Sequence, residues 1–167
     1  MDMKIIYLVR HAKSSWKFSN LSDFERPLNN RGRKAAPFMG KLLSKKGVDP
    51  DLIISSPAMR AITTAKLIAK KVDYPFSKIL LKSQIYEAGV RQYYKVVQEV
   101  DKDVNELMLV GHNYSLTDFA NTLCKTTVDN IPTAGVFAVR FKINKWKDLK
   151  EGIGVFDFFE YPKKNDR

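Results

Sequence analysis

The sequence predicts an α/β fold: a three-layer α/β/α sandwich around a mostly parallel, mixed central sheet. Three observations predict it. Short apolar runs of strand length alternate with longer segments of helical period through the first two thirds of the chain. Two of the runs, Ile5 to Val9 and Leu107 to Val110, are apolar almost throughout, as in parallel strands buried on both faces. Each leads into one of the chain's only two histidines, His11 and His112. That places both imidazoles at the carboxyl ends of strands, the edge where open α/β sheets form ligand crevices.

In order, a strand over 4–9 is followed by a long loop and a helix over 31–46, which Pro37 is placed to kink. A strand over 51–55 and a helix over 57–72 come next, with Ser56 as N-cap and Pro57 as first helical residue. A short strand over 79–82 precedes a helix over 90–100 and the strand 106–110. Ser115-Leu116-Thr117-Asp118 reads as a capping box with Asp in place of Glu. Strands over 136–141 and 155–159 close the sheet, and this strand-rich end predicts an antiparallel member.

No linker, repeat or low-complexity segment interrupts the 167 residues, so a single domain over 1–167 is expected, large enough to bury about 70% of its unfolded surface. The lone Cys124 cannot form an intramolecular disulfide. It lies beside the apolar stripe of Leu116, Phe119, Ala120 and Leu123 and reads as a small core residue. The chain has no signal-peptide pattern and no apolar stretch near 18 residues, so a soluble cytoplasmic protein without membrane attachment is expected.

Charge is more informative. Against 18 Asp and Glu stand 29 Lys and Arg, a net +11. Such a field attracts anions: nucleic acid, acidic protein surfaces or phosphorylated substrates. The lysines are dispersed (Lys41, Lys45, Lys46, Lys66, Lys70, Lys71), and Trp16, Trp146 and Tyr161 form no stacking ladder, which disfavours nucleic acid. Arg10 directly before His11 argues for an anion at the strand end, because a buried guanidinium needs a partner.

Three segments occur in a telling order: Leu8-Val9-Arg10-His11-Ala12-Lys13-Ser14, then Ser55-Ser56-Pro57-Ala58-Met59-Arg60-Ala61 with Thr64-Ala65, then Val110-Gly111-His112-Asn113. Together they resemble the histidine phosphatase, or phosphoglycerate mutase-like, superfamily. The short length, Arg26-Pro27-Leu28 and Arg31-Gly32 look most like its SixA-type phosphohistidine phosphatase branch. The resemblance covers roughly residues 4 to 160. It implies a phosphoglycerate mutase-like fold and a phosphatase that works without metal or cofactor. His11 would attack phosphorus as a neutral imidazole and carry a covalent phosphohistidine, later hydrolysed by water. Arg10, Arg60 and His112 would cage the phosphoryl oxygens, with His112 protonated once the dianion is bound. Arg60 would stand in the first turn of its helix, where free N–H groups also favour an anion. Arg26 is either a further phosphate ligand or a solvent-facing loop residue.

Some positions depart from the family pattern. Ala12 replaces the glycine usual after the nucleophile and would be strained if its φ were positive. Lys13 and Tyr114 replace the Glu and Pro common in the mutases. Glu87 follows the third strand where the mutase branch carries its general acid, and equally suits a helix-start carboxylate facing the dipole. An alkoxide leaving group needs a proton donor more than the N–P bond of phosphohistidine does, so an insecure acid favours phosphohistidine on a protein as substrate. A small phosphate ester is the alternative. A non-catalytic phosphate or phosphoprotein binder and a metal hydrolase using Asp51, Asp118 or Glu87 are remoter, the latter because arginine beside a ligand repels a cation.

Overall fold

In the computed structural model, which describes residues 3–165, the strands are β1 (Met3–Arg10), β2 (Leu52–Ser55), β3 (Leu80–Leu81), β4 (Glu106–Gly111), β5 (Val136–Lys142) and β6 (Val155–Glu160). The helices are α1 (Asn30–Lys45), α2 (Met59–Lys71), α3 (Val90–Gln98), α4 (Ser115–Leu123) and the short α5 (Pro162–Asn165). The strands form one sheet in the order β3-β2-β4-β1-β5-β6. β1, β2, β3 and β4 run parallel, and β5 is antiparallel to both of its neighbours, β1 and β6. The mixed sheet expected from the strand-rich end is therefore present, with β5 as its antiparallel member.

Alternation along the central strands gives the sheet two apolar faces. Ile6 and Leu8 of β1, with Leu107 and Leu109 of β4, pack with Tyr93 of α3, Phe119 of α4 and the buried Trp146. Tyr7 and Val9, with Met108 and Val110, pack on the other side with Met39 and Leu43 of α1 and Ile68 of α2. Each fully buried leucine or isoleucine here contributes about 1.5–3 kcal/mol of transfer free energy. Cys124 belongs to the first cluster, as expected, and its thiol donates to the Thr126 carbonyl at 3.4 Å.

Two helix starts differ from expectation. α2 begins at Met59 with Ala58 as N-cap and no side-chain cap; the Ser56 hydroxyl accepts from the Ala58 N–H at 3.2 Å, ahead of the helix, and also meets His112 Nε2. The Ser115–Asp118 capping box does not form: Ser115 is already helical, and its hydroxyl turns back to donate to the His112 carbonyl at 3.2 Å. α1 is capped by Asn29, whose side chain accepts from Gly32 N–H at 2.9 Å, and it continues through Pro37 to Lys45.

The first strand is bounded by two cations, one buried and one partly buried. At its amino end Lys4 is fully buried, and its Nζ donates to the Lys102 carbonyl at 2.6 Å, the Val104 carbonyl at 2.9 Å and Asn105 Oδ1 at 3.1 Å. Trp146 donates to the same Val104 carbonyl at 2.8 Å and lies with its ring centroid 5.5 Å from the ammonium. At its carboxyl end stands Arg10.

Candidate active site

β1 and β4 are hydrogen-bonded neighbours with Arg10 opposite Gly111, so the residues that follow, His11 and His112, emerge side by side. Their ring centroids are 5.2 Å apart. The His11 N–H continues the ladder by donating to the Gly111 carbonyl at 3.1 Å. Gly111 has to be glycine here, since a Cβ would stand 2.3 Å from the Tyr93 hydroxyl.

His11 Nδ1 lies 2.7 Å from the Ala12 carbonyl. A carbonyl only accepts, so Nδ1 carries the proton and Nε2 keeps the lone pair. Ala12 is itself held from α2: its N–H donates to Thr64 Oγ1 at 2.9 Å, and that hydroxyl donates to the Arg60 carbonyl at 2.7 Å. Ala12 is not among the residues with positive φ, so alanine stands there without the strain considered above. On the other imidazole, Nε2 meets Ser56 Oγ at 2.7 Å, and the Tyr86 ring packs edge-on at 5.6 Å.

Both imidazoles are held neutral. Burial, and then the charges of His112, Arg60 and Arg10, lower the His11 pKa to about 3 despite the opposing Ala12 hydrogen bond. Burial and Arg60 lower that of His112 to about 4, with Asp23 opposing. Protonation of His112, expected with a bound dianion, therefore requires that added negative charge.

The cations converge as the motifs imply. Arg10 donates to the Ile131 carbonyl at 3.0 Å. Arg60, in the first turn of α2, donates to the Asp23 carbonyl at 2.6 Å and to Asp23 Oδ2 at 3.0 Å. Arg26 does not face solvent. It is buried, donates through Nε and a terminal nitrogen to Asp23 Oδ1 at 3.2 and 3.1 Å and to Ser14 Oγ at 2.7 Å, and stacks on Trp16 with its guanidinium carbon 3.5 Å from the ring centroid. Asp23 thus ties two guanidiniums together, and the Tyr86 hydroxyl donates to it at 2.8 Å. Partial burial opposes its charge, but these hydrogen bonds and the Arg60 charge outweigh that and bring its carboxyl pKa to about 2.

Among the described residues, the buried side-chain nitrogens or oxygens without a hydrogen-bond partner are Arg10 Nε, Arg60 Nε and His112 Nδ1. Buried polar groups are satisfied almost everywhere in folded proteins, so the two orphaned guanidinium N–H groups mark unused capacity for an acceptor, and the His112 nitrogen joins them as a donor once that ring is protonated. The pocket is the inner end of a groove of about 1340 Å³ lined by Arg10, His11, Arg26, Arg60 and His112. Glu87 is exposed, with a left-handed φ of 57°, and directly follows Tyr86, whose ring packs on His112. Among the described residues no group of three or more His, Cys, Asp or Glu could hold a metal ion.

The sequence pattern gives no role in the site to Asp23 or Thr64, and gives Ser56 only that of a helix cap. Asp23 had one local signal, its i,i+3 spacing to Arg26. Gly32 explains part of another motif, because a Cβ there would meet the Lys13 carbonyl at 2.2 Å, so α1 can approach the His11 loop only with glycine.

Fold and pocket define the class, an α/β protein with a cationic two-histidine pocket at the carboxyl edge of its sheet. The family follows from comparison. The histidine phosphatase superfamily (branch 1) matches residues 6–106, and the chain belongs to that superfamily. The matched stretch includes His11, Arg26 and Arg60 and ends before His112. An uncharacterized chloroplastic protein of Arabidopsis thaliana is 27% identical over 151 residues, covering 86% of this chain and 69% of the relative. The mitochondrial serine/threonine-protein phosphatase Pgam5 of Drosophila ananassae is 39% identical over 75 residues, which cover 45% of this chain and 25% of that protein. Among solved structures, a candidate phosphohistidine phosphatase SixA from Agrobacterium tumefaciens matches with a TM-score of 0.81 at 24% identity, covering 95% of this chain and 98% of that one. The protein histidine phosphatase SixA complexed with tungstate matches at 0.82 and 19% identity, over 96% and 98% of the two chains. These structures share the phosphoglycerate mutase-like fold, and family membership supports a phosphatase. No helix among the described residues is long and apolar enough to cross a membrane.

Proposed function

We propose that this protein is a metal-independent phosphatase of protein phosphohistidine. The observation that carries the reading is the state of His11: a neutral imidazole with its proton fixed on Nδ1, beside a second imidazole and cations with unused donors. In the first step His11 Nε2 forms a bond to phosphorus as the substrate's N–P bond breaks, and the departing imidazole leaves with a proton on its ring. The phosphoryl group then resides on His11. In the second step water attacks phosphorus, inorganic phosphate leaves, and its electron pair returns to Nε2. Arg10 and Arg60 stabilise the equatorial oxygens, and Arg26 adds a further cation at the pocket wall. His112 joins them as it protonates in the presence of the dianion.

Independence from metal follows from the same cations, which repel a divalent ion from both imidazoles. The groove lining contains no Asp or Glu to give a proton to an ester leaving group, and Glu87 is exposed, which favours phosphohistidine over a small ester. Single-turnover dephosphorylation of a phosphohistidine-labelled protein, with chelator present and early quenching, tests the reading. Acid-labile phosphate should appear on the wild type and not on His11→Ala, with turnover of the variant lower by about 10⁴-fold or more. Turnover of small phosphate esters alone would assign the site to that substrate class instead.

A further inference from the structure

The groove is larger than its chemistry needs. About 1340 Å³ exceeds the 300–1,000 Å³ usual for a small-molecule pocket, and the space runs from the two histidines along the first turns of α1 to α5. Beyond Arg10, Arg26 and Arg60 its lining contains five exposed cations, Lys13, Lys17, Arg31, Lys34 and Lys163, and no Asp or Glu. None of the five has a carboxylate within ion-pair distance among the described residues, whereas Arg26 and Arg60 share Asp23. Unpaired like charges along one wall repel each other, and a bound partner of opposite sign relieves that repulsion.

The aromatic groups narrow the partner. Trp16 is 79% exposed, but Arg26 covers one face of its ring; Phe38 lies farther along, 43% exposed. One half-covered ring and one distant ring do not make the succession of stacking platforms that single-stranded nucleic acid uses. They do suit occasional apolar side chains in an extended polypeptide. We propose that this cationic arm docks an acidic polypeptide segment lying beside the phosphorylated residue of the substrate protein. The proposal rests on the reading of the His11 pocket as the phosphoryl end, and it names the feature of the substrate that the pocket itself does not recognise.

Binding without turnover separates the two ideas. A fluorescein-labelled peptide rich in Asp and Glu, carrying no phosphate, is titrated into the full chain bearing His11→Ala, and anisotropy is followed at two salt concentrations. Arg31→Gln/Lys34→Gln/Lys163→Gln should weaken binding by about tenfold, the sum of three exposed ion pairs, and flatten the salt dependence. Lys41→Gln/Lys66→Gln/Lys70→Gln removes as much charge from exposed positions outside the groove and should change affinity by less than about twofold. Equal losses in the two triple variants would overturn the proposal in favour of the general +11 field. So would stronger binding of a single-stranded oligonucleotide of matched charge, which would assign the arm to nucleic acid. Absence of phosphohistidine turnover in the wild type, with selective peptide loss intact, would remove the reaction and leave the docking arm.

Discussion

Lys4 and Arg10 bracket the same strand and carry the same charge, yet they are treated oppositely. Lys4 is fully buried and its ammonium meets three oxygens from residues 102–105, one for each proton. Arg10 spends one terminal nitrogen on the Ile131 carbonyl and leaves a buried Nε without a partner among the described residues. A buried cation closed off by acceptors fixes a loop in place, and a partly buried one left with a spare donor is a site. The difference separates stability from reactivity along a single strand, and it can be probed by mutation.

The largest effect is expected at the open end. Arg10→Ala should lower kcat/KM on a phosphohistidine protein by roughly 10²- to 10³-fold, about 3 to 4 kcal/mol of barrier, while moving the urea midpoint less than the corresponding change at Lys4. The reverse pattern would erase the contrast. At the closed end, Lys4→Met should cost about 2–4 kcal/mol in urea denaturation, because buried carbonyls lose their donor, with kcat/KM per folded molecule unchanged. Asp23→Asn probes a case between the two, since that carboxylate is half exposed but orients Arg26 and Arg60. Its kcat/KM should fall by about three- to tenfold, more in KM than in kcat, as suits a partly screened ion pair.

The pH dependence of stability tests the open end without a substrate. His11 and His112 titrate near 3 and 4 when folded and near their ordinary value of about 6.5 when unfolded. The unfolded chain therefore takes up protons first as pH falls, so stability should decline from pH ~6.5 toward pH ~4 and be fully present above that window. His112→Gln should flatten this slope. Asp23 behaves with the usual carboxylate sign: its folded pKa of about 2 gives a contribution present above pH ~4 and lost as pH falls toward 2, absent from Asp23→Asn.

Much of the frame was legible in the sequence because burial on both faces of β1 and β4 leaves uniformly apolar runs, and helical period marks α1, α2 and α3. The meeting of His11 and His112, with Arg10 beside them, was legible from their strand ends, whereas Arg60 was placed with them by the family resemblance. Local pattern makes Ser56 a helix cap; its hydroxyl does accept from the nearby Ala58 N–H, but the helix starts later, and no local pattern shows its second contact, with His112, 56 positions away in sequence. Asp23 was missed for the same reason: its i,i+3 link to Arg26 is local, but its bonds to Arg60 and Tyr86 span 37 and 63 residues. Whether Arg26 faces solvent was not legible locally, because it is buried by stacking on Trp16 and by its bond to Ser14. The groove's far wall, from Arg31 to Lys163, joins segments that no periodicity connects.

The ladder between β1 and β4 has one further consequence. Because Arg10 and Gly111 are paired and the His11 amide donates to Gly111, the spacing of the two imidazoles is set by strands that sit about 4.8 Å apart in the middle of the sheet. Amide protons there should exchange with deuterium only when the whole molecule opens, whereas those around Trp16 escape through local fluctuation. Heritable change can then reshape what the groove admits while the distance between the imidazoles stays the same.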